Sequence, residues 1–213
     1  MSAPTTTLPA EMNAAVLPLE PFGLAPEQAL AQAARSNDRA ATKQVLALVA
    51  PGVLASVRSV VGPSHPDLED LVQEALIAVV RALPSFRGDS SLVHFAKQIA
   101  VRRAIDGLRG TIRERKRRDS LPPVCEATTP PTLLERRQRL WRELLAELPP
   151  AQAEVLALRA IDGYSIEELA ELTGAPLETV RSRLRLAKAT LRERIAREPA
   201  LADLITEGDH DAA

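Results

Sequence analysis

Cysteine is almost absent. The 213-residue chain has one, Cys125, so neither an internal disulfide nor a cysteine-rich metal site can form, and a stapled extracellular fold is excluded. Aromatic residues are nearly as scarce, with one Trp, one Tyr and three Phe. A core must therefore be built from Leu, Ala, Val and Ile, a composition that favours helices over sheets. No apolar run is long: Val45 to Val57 is interrupted by Pro51 and Gly52 and stays short of the roughly 20 residues that cross a bilayer. No basic residue precedes Arg35, so the amino end lacks the charged region of a secretory signal. The expectation is a cytoplasmic chain with no membrane insertion of its own. Glycine-rich phosphate loops, HExxH, GxSxG and Cys/His ligand clusters are also missing. No catalytic residue, metal or cofactor is expected, and His210 between Asp209 and Asp211 is too small a group to count as a site.

Charge is balanced overall, 27 Lys plus Arg against 28 Asp plus Glu, but it is not balanced locally. Residues 101–118 carry Arg102, Arg103, Arg109, Arg113, Arg115, Lys116, Arg117 and Arg118 against only Asp106 and Glu114. Residues 198–213 hold five acidic side chains and no Lys or Arg. The first stretch is a candidate anion-binding surface and the second an acidic tail, able by charge alone to screen it.

Residues 1–26, rich in Ala, Thr and Pro, show no sustained periodicity and are expected to be a flexible arm. From Glu27 to Val61 apolar residues recur at helical spacing up to a break at Pro51 and Gly52, which predicts two helices or one kinked helix. Asp67 to Leu83 is the clearest amphipathic helix, with Leu68, Leu71, Val72, Ala75, Leu76, Val79, Val80 and Leu83 at steps of three and four. Glu69 and Asp70 suit its positive end, and Pro84 stops it. After a loop over residues 85–90, a second helix is expected from Ser91 to Arg118. Four prolines among residues 120–132 exclude a long helix there and mark a boundary. Further helical patterns follow at Leu133 to Leu148, Ala151 to Ile161, Ser165 to Thr173 and Leu177 to Ala196. The fold class is all-α: two small helical domains, 27–118 and 133–197, joined by an extended proline-rich linker over 119–132.

The sharpest motif lies in the second domain. Ser165 as N-cap with Glu168 three residues on forms a capping box, Gly174 supplies a turn, and Pro176 opens the next helix. Ile166, Leu169, Ala170, Val180 and Leu184 face inward. That leaves Thr179, Arg181, Ser182, Arg183 and Arg185 outward or at the flank of the second helix. Helix, tight turn and basic second helix describe a helix-turn-helix, whose second helix reads the major groove and whose arginines can meet a guanine edge or a phosphate bidentately. An ordinary three-helix bundle with a solvated arginine face fits the same pattern.

The two domains together resemble the extracytoplasmic-function (ECF) sigma factors of bacterial RNA polymerase, small members of the sigma-70-type family that keep only domains two and four. DLEDLVQEALIAVVRALPSFRGDSSLVHFAKQIAVRRAIDGLR looks like the former and LPPAQAEVLALRAIDGYSIEELAELTGAPLETVRSRLRLAKATL like the latter. The resemblance implies a non-enzymatic subunit that binds core polymerase, recognises the −35 and −10 promoter elements and aids DNA melting.

By the same resemblance, the helix from Asp67 to Leu83 docks on the clamp-helix coiled coil of the polymerase beta-prime subunit through Asp70, Gln73 and Glu74. The loop and basic helix that follow hold the −10 element and the melted non-template strand through Phe86, Arg87, Asp89, Phe95, Lys97, Arg102, Arg103 and Arg109. Strand opening needs a cationic track and planar groups for unstacked bases. Phe86 and Phe95 serve equally as core residues, and core is the expected role of Phe95. Phe95 stands where many relatives carry Trp, and Lys97 where they often carry Tyr. Arg181, Ser182 and Arg185 match the −35 contacts, with Thr179 or Arg183 on phosphate. Leu186 replaces an Arg common in relatives. The linker is expected to run through the polymerase, with the beta and beta-prime subunits and promoter DNA as partners. An anti-sigma protein is a further implied partner.

Two other classes fit less of the chain. A stand-alone helix-turn-helix regulator would have no use for residues 27–118. A recombinase would need a nucleophile within a cationic cluster, and none can be assembled.

Overall fold

The computed structural model describes residues 24–36, 38–118 and 132–197. Its elements are α1 (Leu24–Arg35), α2 (Arg39–Val61), α3 (Leu68–Ala82), a 3-10 turn (Leu83–Ser85), α4 (Leu92–Arg118), α5 (Leu133–Glu147), α6 (Pro150–Asp162), α7 (Ile166–Thr173) and α8 (Leu177–Arg197). No strand occurs among the described residues. The expected arm, apart from the start of α1, and the linker interior, Cys125, the acidic tail and His210 lie outside the described residues.

The helix break expected at Pro51 falls instead between Arg35, where α1 ends, and Arg39, where α2 starts. Asp38 caps α2 there, its carboxylate accepting from Ala40 N at 2.8 Å and Ala41 N at 3.4 Å, and α2 runs on through Pro51. One missing N–H does not stop a helix whose buried face is continuous. Val45, Val49, Val53, Val57, Val60 and Val61 are all fully buried. Uninterrupted, α2 is long and apolar enough by composition to cross a membrane. Its valines are accounted for by the core it fills. Helix α1 begins at Leu24, earlier than periodicity suggested.

Helices α2, α3 and α4 pack around Leu71, Ala75, Val79, Ala96, Ala100, Ala104, Ile105 and Leu108. Small residues let α3 and α4 approach closely, and a Cβ at Gly107 would lie 2.4 Å from Leu71 Cδ2. Helix α1 closes one end: the Leu92 amide, at the start of α4, donates to Glu27 Oε2 at 2.7 Å. That carboxylate serves as a cap supplied from a distant helix, at the positive end of the α4 dipole.

In the second unit α6 packs on α8, with α5 and α7 at its flanks. The predicted capping box is present, with Glu168 N donating to Ser165 Oγ at 3.1 Å and Ser165 N to Glu168 Oε2 at 2.7 Å. Gly174 has φ +64°, the left-handed value that ends α7. A second box, Thr132 with Glu135, opens α5. The two units share one hydrophobic cluster, in which α4 meets α5, α6 and α7.

Candidate nucleic-acid interface

Helix α3 buries Leu71, Ala75, Ala78 and Val79 and leaves Asp70, Gln73 and Glu74 exposed on the opposite side. Ile77 extends that face by one turn from Gln73 and Glu74, and it is 51 % exposed. Sequence reasoning passed over it, although an isoleucine off the three-and-four stripe of an amphipathic helix is the signal that could have found it.

The turn after α3 does not present its phenylalanine to solvent. Phe86 is 5 % exposed, with its ring centroid 5.2 Å from that of half-buried Phe95. Of the two uses open to Phe86, core and base-stacking, the structure displays the core use. Arg87 and Asp89 are exposed on either side of Gly88, which has φ +83° and lies against the end of the exposed Gln28 side chain. A hollow of about 150 Å³ opens beside this loop. Phe86, Arg87, Asp89 and Phe95 line one wall, and Glu171 and Leu172 of α7 contribute the other.

The basic helix α4 is divided. Arg103, Arg113 and Arg117 are exposed. Lys97, Arg109 and Arg102, the last with its side chain still 51 % exposed, are paired with the second unit. Lys97 Nζ is 2.7 Å from Asp162 Oδ1, and Arg102 Nε is 2.6 Å from Glu154 Oε1, which also accepts from Gln98 Nε2 at 2.9 Å. Arg109 donates to the carbonyls of Leu148 at 2.7 Å and Ala146 at 3.3 Å, the acceptors left free where α5 ends. Asp106 lies 3.6 Å from its guanidinium. Neither Glu154 nor Asp162 was foreseen. The available signal was a carboxylate at 154 amid the apolar run Ala153 to Leu158, since a charge on a buried face needs a partner.

Next to these pairs, His94 sits edge-on to Tyr164, with ring centroids 5.0 Å apart and planes at 87°. Burial, and then Lys97, hold the His94 pKa below its ordinary value against the opposing pull of Glu168, Asp162 and Glu27. Burial also drives the Tyr164 hydroxyl upward, with Asp162 and Glu168 adding to the shift. Asp162 Oδ2 and the Tyr164 hydroxyl are buried without a hydrogen-bond partner among the described residues.

In α8, Val180, Leu184 and Ala187 are buried, while Arg181, Ser182 and Arg185 are exposed together and Thr179 and Arg183 are half-buried at the flank. Arg181 NH1 rests 2.5 Å from Glu178 Oε1, an exposed pair that water screens and nucleic acid can replace. Leu186 is 44 % exposed on the same helix.

Residues 47–114 match the family described as Sigma-70 region 2, and residues 138–191 match Sigma-70, region 4. The chain belongs to the ECF sigma factors of the sigma-70 family. It is 34 % identical to the ECF RNA polymerase sigma-E factor of Escherichia coli over 142 residues, 61 % of this chain and 74 % of that one. To the sigma-E factor of Haemophilus influenzae it is 30 % identical over 144 residues, 62 % and 76 % of the two chains. A solved structure described as CnrH in complex with the cytosolic domain of CnrY covers 81 % of this sigma factor and 98 % of its own chain, with a TM-score of 0.50 at 23 % identity, and shares its fold. The function is that of an RNA polymerase sigma subunit, and sigma factors are non-enzymatic initiation factors. Region 4 takes in α7 and α8 as far as Leu191, and region 2 takes in the acidic face of α3 and the basic helix α4 as far as Glu114.

Proposed function

We propose that this sigma factor docks on the beta-prime clamp helices of core polymerase through Asp70, Gln73, Glu74 and Ile77. Acidic and amide groups around one exposed aliphatic side chain suit a basic coiled coil, with the charges setting orientation and on-rate and the isoleucine supplying desolvated area. Arg87, Asp89, Phe95, Lys97, Arg102, Arg103 and Arg109, around the hollow beside Phe86, hold the −10 element and the melted strand. Arg181, Ser182 and Arg185 read the −35 element, with Thr179 and Arg183 on phosphate. Residues 27–118 and 133–197 act as the two functional domains, with 119–132 as the linker between them. The chain works in the cytoplasm, contacts both the beta and beta-prime subunits as well as promoter DNA, and is controlled by an anti-sigma protein.

One observation carries this reading. The chain presents an acidic face on α3 and a separate arginine face on α8, within region 2 and region 4 respectively. A stand-alone regulator needs only the second. The test is co-elution with bacterial core polymerase on a sizing column. The wild-type chain is expected to bind stoichiometrically, and Asp70→Arg with Glu74→Arg to abolish binding without loss of helicity. Wild-type binding that survives both reversals would remove the assigned docking face.

A further inference from the structure

One large side chain on the groove-reading helix has no polar group to offer DNA. Leu186 of α8 is 44 % exposed. Among the described residues it is the only exposed large apolar side chain on that helix, the others standing on α2, α3 and α5. A lone exposed leucine is ordinary on a protein surface. Its place on α8 makes this one informative.

The outer face of α8 divides into two rows, each advancing by helical steps of four, three and four. Arg181, Arg185, Lys188 and Arg192 form a cationic row. Beside it Ser182, Leu186, Ala189 and Glu193, all exposed, form a row without a cation. The first row suits phosphates and guanine edges. The second is unsuited to a phosphate backbone, because Leu186 and Ala189 have nothing to donate to it and Glu193 is repelled by it. This row faces the base edges instead, with Ser182 as its hydrogen-bonding member and Leu186 as its bulky one.

A leucine laid against a base edge deprives any donor or acceptor beneath it of water, which penalises most bases. The major groove presents one apolar feature that it can cover without that loss, the 5-methyl group of thymine. Leu186 follows Ser182 by one helical turn, about 6 Å along the axis. That rise corresponds to roughly two base-pair steps of about 3.4 Å.

We propose that Leu186 is a specificity-determining residue of the −35 contact, its side chain packing on the 5-methyl group of a thymine about two base pairs from the base that Ser182 meets. The inference rests on the assignment of α8 to the −35 element made above. It adds to that assignment the chemical feature that is read and the side chain that reads it.

The test uses holoenzyme reconstituted from the full chain and bacterial core polymerase. Duplex DNA is selected by this holoenzyme from a pool randomised across the promoter region. Each thymine of the selected −35 element is then replaced in turn by deoxyuridine, which keeps the base pair and removes only the methyl group. Affinity is read by fluorescence anisotropy for wild type and for Leu186→Ala, a substitution that α8 accepts because alanine is the best helix former. Wild type is expected to bind about fourfold more weakly when one particular thymine is replaced, the effect of uncovering about one buried methyl group. Leu186→Ala, whose side chain is too short to reach the methyl, is expected to bind the thymine and deoxyuridine duplexes equally. A selected element in which no thymine shows a methyl effect, or an effect undiminished in Leu186→Ala, overturns the proposal and leaves α8 as the −35 reader. Selection that returns no preference at the −35 position overturns that assignment, and the proposal falls with it.

Discussion

Glu154 and Arg102 meet at 2.6 Å where region 4 lies on region 2, and the same carboxylate oxygen accepts from Gln98 at 2.9 Å. Glu154 is 7 % exposed, and both donors converge on the same oxygen. Removing the acceptor leaves the buried Gln98 amide unpaired, a loss of about 1–3 kcal/mol. Glu154→Ala is therefore expected to lower the thermal midpoint by several degrees, and Glu154→Gln, which still accepts from Gln98, by distinctly less. Equal midpoints for the two variants would show that this hydrogen bond contributes nothing.

The histidine at the junction predicts a pH dependence. Burial lowers the His94 pKa, and His65 is lowered as well, first by its own burial. A base whose folded pKa lies below its unfolded value of about 6.5 is fully compatible with the fold above that value. Stability is lost as pH falls below it, because the unfolded chain takes up the proton first. Urea midpoints are expected to fall between about pH 7.5 and about pH 5.5, and His94→Gln to flatten part of that slope. Glu135 and Glu168 are held below the ordinary carboxylate value by the hydrogen bonds of their capping boxes. Their contribution fades only as pH drops past that range, which keeps the two windows apart. A slope unaltered in His94→Gln would assign the whole effect to other groups.

Ser165 holds the first turn of α7 through its bond from Glu168 N. Ser165→Ala is expected to cost about 1 kcal/mol, read as a fall of about 2–4 °C in thermal midpoint for a chain of this size. Ser165→Asp, which restores an acceptor at the same cap, is expected to recover most of it. Failure of Asp to recover more than Ala would contradict the cap.

At Gly88 the constraint is the backbone. Gln28 is exposed and can swing away from an added Cβ, but φ of +83° cannot change without moving Arg87 and Asp89. Gly88→Ala is expected to destabilise by about 1–2 kcal/mol. Urea denaturation checks this, and a midpoint equal to wild type would mean the loop tolerates an ordinary φ.

Ile77 separates docking from stability. Its side chain is 51 % exposed, so Ile77→Lys is expected to change stability by less than about 0.5 kcal/mol while weakening core polymerase binding at least about fivefold. Titration of labelled protein with core polymerase decides it. Unchanged affinity would confine the docking face to the acidic residues.

Most of the fold was legible because its signals are local. The α3 stripe, the Ser165 capping box and Gly174 are each decided by neighbours in sequence. Pro51 misled because the cost of one absent N–H was weighed without the row of buried valines on either side of it. The site was legible in part. Arg181, Ser182 and Arg185 are exposed as the helical wheel requires. Lys97, Arg102 and Arg109 were recognised as cations, but their partners lie more than 35 residues away. Such pairing depends on how two helical units pack, which no spacing encodes. Phe86 illustrates the same limit, since a lone aromatic beside a turn reads equally as core or as stacking platform until its neighbours are placed.

The central claim, that this chain confers promoter-specific initiation on core polymerase, is tested most directly by transcribing sheared genomic DNA in vitro with core polymerase, with and without the protein, and mapping the 5′ ends of the transcripts. The account predicts discrete start sites that appear only with the protein, share −35 and −10 motifs, and vanish with Arg181→Ala although that variant still binds polymerase. Start sites identical with and without a protein that nonetheless binds duplex DNA would contradict it.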